Sequence, residues 1–167
     1  IKTGIIGDGS IIELLESNYK KVMDRDQDIL SELVARAVKY KASVVSTDEK
    51  ESGLRRVLNF GHTFGHAIEL HQRIKHGFAV AAGMELSLRW SRELGYIDNE
   101  TYKQIIKLLD LYKLIPDIRI PSINIIELIR HDKKRSGNNI YFVFIKGIGN
   151  PFVRKLPVRE IEEFYNR

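Results

Sequence analysis

A chain of 167 residues, 43% of them hydrophobic, suits a single domain with a sizeable core. It has no cysteine, which excludes disulfides, thiolate metal sites and cysteine nucleophiles and fits a reducing compartment such as the cytoplasm. No apolar run approaches the roughly 20 residues that span a bilayer, and the net charge of +5 is spread out without aromatic-basic interleaving. Neither a membrane nor a nucleic acid is therefore expected as a partner, and a small polyanionic substrate explains the basic excess equally well. The start, Ile1-Lys2-Thr3-Gly4, has no initiator methionine and no signal-peptide apolar segment, so the chain reads as a piece of something longer.

In chain order, Ile1 to Ile6 is short and apolar, and Gly7-Asp8-Gly9 turns. Ser10 can cap a helix to about Met23 with Ile11, Leu14, Leu15 and Val22 inward. A second helix is predicted from about Gln27 to Ser46, with Leu30, Leu33, Val34, Ala37 and Val38 recurring at three and four, and Lys39 and Lys41 near its end. A charged loop, Thr47 to Gly53, leads into a central helix from about Leu54 to His71. After a connector, Phe78 to about Leu94 is an apolar, small-residue helix that belongs deep in the core, with Gly95 at its C′ position. Asp98 caps a helix from about Asn99 to Tyr112. Pro116 and Pro121 bracket an extended link, and a short helix from about Ile123 to His131 delivers Asp132-Lys133-Lys134. Ile140 to Ile145 is the strongest strand signal, and Phe152 to Leu156 can return as its hairpin partner. Tyr141, Phe142 and Phe144 are expected in the hairpin core. Pro157 starts a terminal helix to about Tyr165. The sum is a mainly α, multi-helix single domain over residues 1–167 with one small β-hairpin.

The chemistry concentrates in Arg55 to Glu69. His62 and His66 are four apart, so on a helix both imidazoles leave one face a turn apart. His76 follows ten residues after His66. Arg55, Asn59, His62 and His66 step by four, three and four, making one polar stripe through an otherwise apolar helix. Neutral imidazole is a common ligand for zinc-type metals, Arg forks onto carboxylate or phosphate, and Asn both donates and accepts. Two glycines beside the histidines, Gly61 and Gly65, cost helix stability and so imply close backbone approach to a ligand or another helix. His71 and His131 read as ordinary.

These residues resemble a family, the metal- and NAD-dependent sugar phosphate cyclases, and within it the C-terminal domain of 3-dehydroquinate synthase. The resemblance rests on Ile1-Lys2-Thr3-Gly4, Lys41-Ala42 followed by Asp48-Glu49, Gly53-Leu54-Arg55, the run Asn59-Phe60-Gly61-His62-Thr63-Phe64-Gly65-His66-Ala67-Ile68-Glu69, His76-Gly77-x-Ala79-Val80, and Asp132-Lys133-Lys134. It covers nearly the whole chain. It implies a phosphate-eliminating lyase of the shikimate pathway, serving aromatic amino acid biosynthesis. The substrate would be 3-deoxy-arabino-heptulosonate 7-phosphate, converted to 3-dehydroquinate and phosphate through transient oxidation by NAD, elimination and intramolecular aldol closure.

The resemblance also implies roles. His62 and His76 would be metal ligands, for zinc or cobalt, with the third ligand, a Glu, just upstream of Ile1. His66, Lys2 and Lys41 would act in catalysis, and Arg55, Asn59, Lys133 and Lys134 would hold the substrate. NAD would bind mainly to an N-terminal domain absent from this chain, the isolated chain would be inactive, and the intact enzyme would be a homodimer. One departure stands out: the family usually reads His-Gly-Glu where this chain has His76-Gly77-Phe78. That keeps open relatives acting on sedoheptulose 7-phosphate or glucose 6-phosphate. A non-catalytic, anion-binding helical module is the reading from a different class. A glycerol-dehydrogenase-like protein is a weaker third, opposed by Asp132-Lys133-Lys134.

Overall fold

The computed structural model describes residues 1–50, 53–116, 127–129 and 139–167. In chain order it contains α1 (Lys2–Ile6), α2 (Ser10–Ser17), α3 (Tyr19–Met23), α4 (Gln27–Thr47), a 3-10 helix (Leu54–Asn59), α5 (His62–Gln72), α6 (His76–Glu93), α7 (Asn99–Leu111), β1 (Asn139–Ile145), β2 (Pro151–Pro157) and α8 (Val158–Tyr165). β1 and β2 pair antiparallel in the register Tyr141 with Lys155 and Val143 with Val153. Among the described residues this is the only sheet, so the expected helical domain with one hairpin is what forms.

α6 is the central beam. Most of its residues from Ala79 to Ser91 are buried, with Glu85 and Arg89 only partly so. Met84 and Leu88 face a core that holds Ile5 and Ile12 of the N-terminal helices, Phe60, and Leu108 of α7. Ala82, Leu86 and Trp90 face a second core built from Phe64, the hairpin residues Phe142 and Phe144, and Phe164 of α8. Trp90 stacks on Phe164 with ring centroids 4.6 Å apart, a pairing that adds about 1 kcal/mol beyond area burial. Two hydroxyls buried in this beam, Ser87 and Ser91, donate back to the carbonyls of Gly83 and Ser87, which removes the cost of burying them.

α5 lies against α6 closely enough for backbones to touch. A Cβ on Gly83 would stand 2.0 Å from the Gly61 carbonyl oxygen and 2.7 Å from the Gly65 nitrogen. The glycines noted beside the histidines therefore admit another helix. Gly61 also sits at φ 78°, the left-handed region open to glycine. There the predicted central helix breaks. Leu54–Asn59 is 3-10, Phe60 turns inward to complete burial, and α5 starts afresh at His62.

Three further boundaries differ from expectation. The helix from Ser10 to Met23 is interrupted at Asn18, whose side chain donates to the Leu14 carbonyl. Ser10 is the first helical residue rather than the cap; the Asp8 carboxylate accepts from its backbone N–H at 3.1 Å and from its hydroxyl. α6 begins at His76, two residues earlier than predicted. Tyr141 is not in the core: near the start of β1 it is 46% exposed, with the Arg56 guanidinium 3.6 Å over its ring, while Val143 and Ile145 on the same face of the strand are buried. Asp98 caps α7 as expected, accepting from the Thr101 N–H at 2.7 Å.

The N-terminal helices carry the rest of the site. The Tyr40 hydroxyl of α4 donates to the Ile6 carbonyl at 2.8 Å, and its ring fills the space a Cβ on Gly7 would occupy. The hairpin turn is tied to α1 by the Gly149 N–H donating to the Ile5 carbonyl at 2.8 Å. α4 is only shallowly packed, with Val34 and Val38 of its apolar stripe 60% and 59% exposed.

Candidate functional site

Those exposed valines face an open cavity of about 490 Å³ between α1, α4 and the 3-10 helix. One wall is apolar, made by Ile6, Val34, Ala37, Val38 and Leu58. The other is cationic and polar: Lys2, Lys41, Arg55, Asn59 and His62. Five of the residues singled out in the sequence thus meet in one place, although they come from four separate elements.

Lys2, Arg55 and His62 are held by identifiable contacts. Lys2 Nζ donates to the Leu58 carbonyl at 2.7 Å. Burial, helped by the charge of Lys41, lowers the Lys2 ammonium to about 8. The buried carboxylate of Asp48 accepts from the backbone N–H groups of Gly53 at 2.8 Å and Arg55 at 3.0 Å, fixing the entry to the 3-10 helix. Arg55 Nη1 donates to the Glu49 carbonyl at 2.9 Å.

The three histidines form a triangle at the cavity edge. Ring centroids lie 5.3 Å apart for His62 and His66, 5.6 Å for His62 and His76, and 6.2 Å for His66 and His76. His62 Nδ1 faces the Phe60 carbonyl at 3.1 Å. A carbonyl only accepts, so Nδ1 carries the proton and Nε2 keeps its lone pair. Burial, with Lys2 next in effect, lowers His62 to about 4, so the ring is neutral at physiological pH. His76 Nδ1 lies 2.8 Å from Glu69 Oε2, and the same logic leaves its Nε2 free to ligate. A ring N–H committed to a carbonyl or carboxylate is how metal-binding histidines are usually oriented. The chemistry of these two donors therefore fits a divalent metal. Among the described residues, no group of three or more His, Cys, Asp or Glu side chains is placed to hold one unaided.

Lys133 and Lys134, expected to hold substrate, lie outside the described residues, as does most of the helix expected to deliver them. His66 is exposed, joining the triangle but not the cavity wall. Two site residues escaped the sequence reading. Asp48 and Glu69 were visible only as letters of the motif, because their partners are backbone groups and a histidine seven residues away. Among the described residues no helix is long and apolar enough to cross a membrane.

This arrangement sets two oriented imidazoles beside a basic cleft on a glycine-packed helix pair. The chain belongs to the family described as 3-dehydroquinate synthase C-terminal, which matches residues 1–135. It is 42% identical to the 3-dehydroquinate synthase of Caulobacter vibrioides (strain NA1000 / CB15N), over 93% of this chain and 45% of that protein. It is 39% identical to that of Thermoanaerobacter pseudethanolicus (strain ATCC 33223 / 39E), over 96% of this chain and 46% of that protein. The chain thus spans about half the length of the curated relatives it matches. Among solved structures it is similar to ValA, the 2-epi-5-epi-valiolone synthase of Streptomyces hygroscopicus subsp. jinggangensis 5008 with NAD+ and Zn2+ bound. That match has TM-score 0.83 at 24% identity, over 98% of this chain and 47% of the other. It is also similar to 2-deoxy-scyllo-inosose synthase complexed with carbaglucose-6-phosphate, NAD+ and Co2+. Here the TM-score is 0.70 at 25% identity, over 81% of this chain and 41% of the other. The fold is that of the sugar phosphate cyclases.

Proposed function

We propose that the chain is the C-terminal, metal- and substrate-binding part of a cytoplasmic, homodimeric 3-dehydroquinate synthase. That enzyme converts 3-deoxy-arabino-heptulosonate 7-phosphate to 3-dehydroquinate and phosphate, with NAD held mainly by an N-terminal domain. The reading is carried by the pairing of two Nδ1-anchored histidines, His62 and His76, with a cleft lined by Lys2, Lys41, Arg55 and Asn59. When bound, NAD+ supplies a reversible hydride acceptor for one substrate hydroxyl and the divalent metal supplies Lewis acidity at that hydroxyl. His62 and His76, whose Nδ1 atoms are engaged by Phe60 and Glu69, would hold that metal. Arg55 and Lys41 neutralise a substrate that carries both carboxylate and phosphate, and Asn59 fixes its hydroxyls. Lys133 and Lys134 take up the phosphate end. His66, one turn from His62, moves a proton, and so does Lys2, whose lowered affinity for its proton suits exchange near neutral pH. Holding one conformer among these groups supplies much of the acceleration.

A second reading within the same family is favoured by Phe78, 37% exposed on the first turn of α6 two residues from His76, where the family usually carries Glu. An aromatic ring there suits a different sugar phosphate. The test is phosphate release by the full-length enzyme with NAD+ and a divalent metal. 3-Deoxy-arabino-heptulosonate 7-phosphate, sedoheptulose 7-phosphate and glucose 6-phosphate are offered side by side. Release from the first, abolished by a chelator, is expected. Release from only one of the others would move the protein to another cyclase branch and make Phe78 a specificity residue. Release from none would leave an anion-binding module.

A further inference from the structure

The geometry points to Glu69 as the residue that positions His76 for metal binding, an inference that rests on the metal-site reading above. The two histidines are anchored differently. His62 is partly buried, and its Nδ1 is tied to a carbonyl two residues away, so its ring is fixed by its own turn of chain. His76 is the first residue of α6, its side chain 56% exposed, just after a connector in which Arg73 adopts φ 52°. Packing alone does not hold such a ring. Its Nδ1 instead donates to Glu69 Oε2, 2.8 Å away across the α5–α6 connection.

That bond fixes the ring's rotation, places the proton on Nδ1, and leaves Nε2 with its lone pair, in a ring whose centroid lies 5.6 Å from that of His62. It also raises the basicity of the ligating nitrogen. Glu69 is 36% exposed, and an exposed pair of this kind adds little to folding stability. Its contribution should therefore show in metal affinity and not in the melting temperature.

The experiment measures Co2+ affinity of the full-length enzyme by chelator competition, with the absorption spectrum of the Co2+-saturated protein as a second readout. Glu69→Ala is expected to weaken binding by about 10- to 100-fold, with the saturated spectrum and the melting temperature unchanged. Glu69→Gln keeps an oxygen that accepts from Nδ1, so its loss is expected to be smaller. Glu163→Gln on α8, which removes the same charge from an exposed pair with Arg159, is expected to bind like wild type. Three results would overturn the proposal. Glu69→Ala could bind Co2+ as tightly as wild type. The charge control could lose as much, which would mean net charge alone. Or the saturated spectrum could change, which would make Glu69 a ligand instead. A wild-type enzyme that took up no Co2+ would overturn the metal-site reading itself, and this with it.

Discussion

Lys2 has the most consequential environment of any single side chain in the cleft. Its ammonium is half-buried near Lys41 and anchored on the Leu58 carbonyl. The unfavourable desolvation lowers it to about 8, so it loses charge near pH 8 where an ordinary lysine holds it to above 10. Only the charged form attracts an anion. Sulfate, whose own charge is constant in this range, should bind the full-length enzyme progressively more weakly as the pH rises through about 8. Lys2→Arg should remove that weakening, because guanidinium stays charged. Identical profiles for the two proteins, measured by calorimetry, would show that another group titrates. At this scale type and spacing exposed Arg55, Asn59, His62 and His66, while Lys2, Lys41 and the ligand role of His76 came from the family resemblance. The sequence did not expose Asp48 or Glu69 in their roles, since a carboxylate that binds a backbone N–H or orients a ring has no periodic signature.

Among the elements, the α5–α6 pair sets the geometry of the histidines, and glycine makes it possible. Gly83→Ala would drive a methyl group into the Gly61 carbonyl, backbone against backbone, where nothing flexible can yield. It should destabilise the protein by about 3 kcal/mol and spread His62 from His76. Gly77, with open space where its Cβ would stand, is the control: Gly77→Ala should stabilise by about 0.5 kcal/mol through the unfolded state. Equal denaturation midpoints for the two variants would contradict this account of the packing. The glycines were legible as a sign of close approach, but their partner was not, because the approach is made by a helix twenty residues on. The stripe through Arg55, Asn59, His62 and His66 was legible as one helix, yet it is two. Three of its residues, Arg55, Asn59 and His62, still line one cavity across the break at Phe60 and Gly61. The exposure of Tyr141 was missed for a different reason: β1 is buried on both faces from Phe142 to Ile145, so nothing in its apolar run marks Tyr141 as the exposed member.

For the molecule as a whole, helix signals and one strong strand sufficed to give the architecture, in which α5, α7 and β1 pack against the buried α6. The cleft was less legible, because its apolar half is the exposed side of α4, where Val34 and Val38 looked like core. That half-apolar, half-cationic surface has His62 at its edge, on a chain that spans about half the length of the curated relatives it matches. The central claim is that His62 binds the metal on which phosphate elimination depends. The direct measurement is bound metal and phosphate release on the same preparations of full-length wild-type enzyme and His62→Ala, with 3-deoxy-arabino-heptulosonate 7-phosphate as substrate. Loss of both in the variant, with the fold retained by circular dichroism, is the predicted result. A variant that keeps its metal and its turnover would contradict the account.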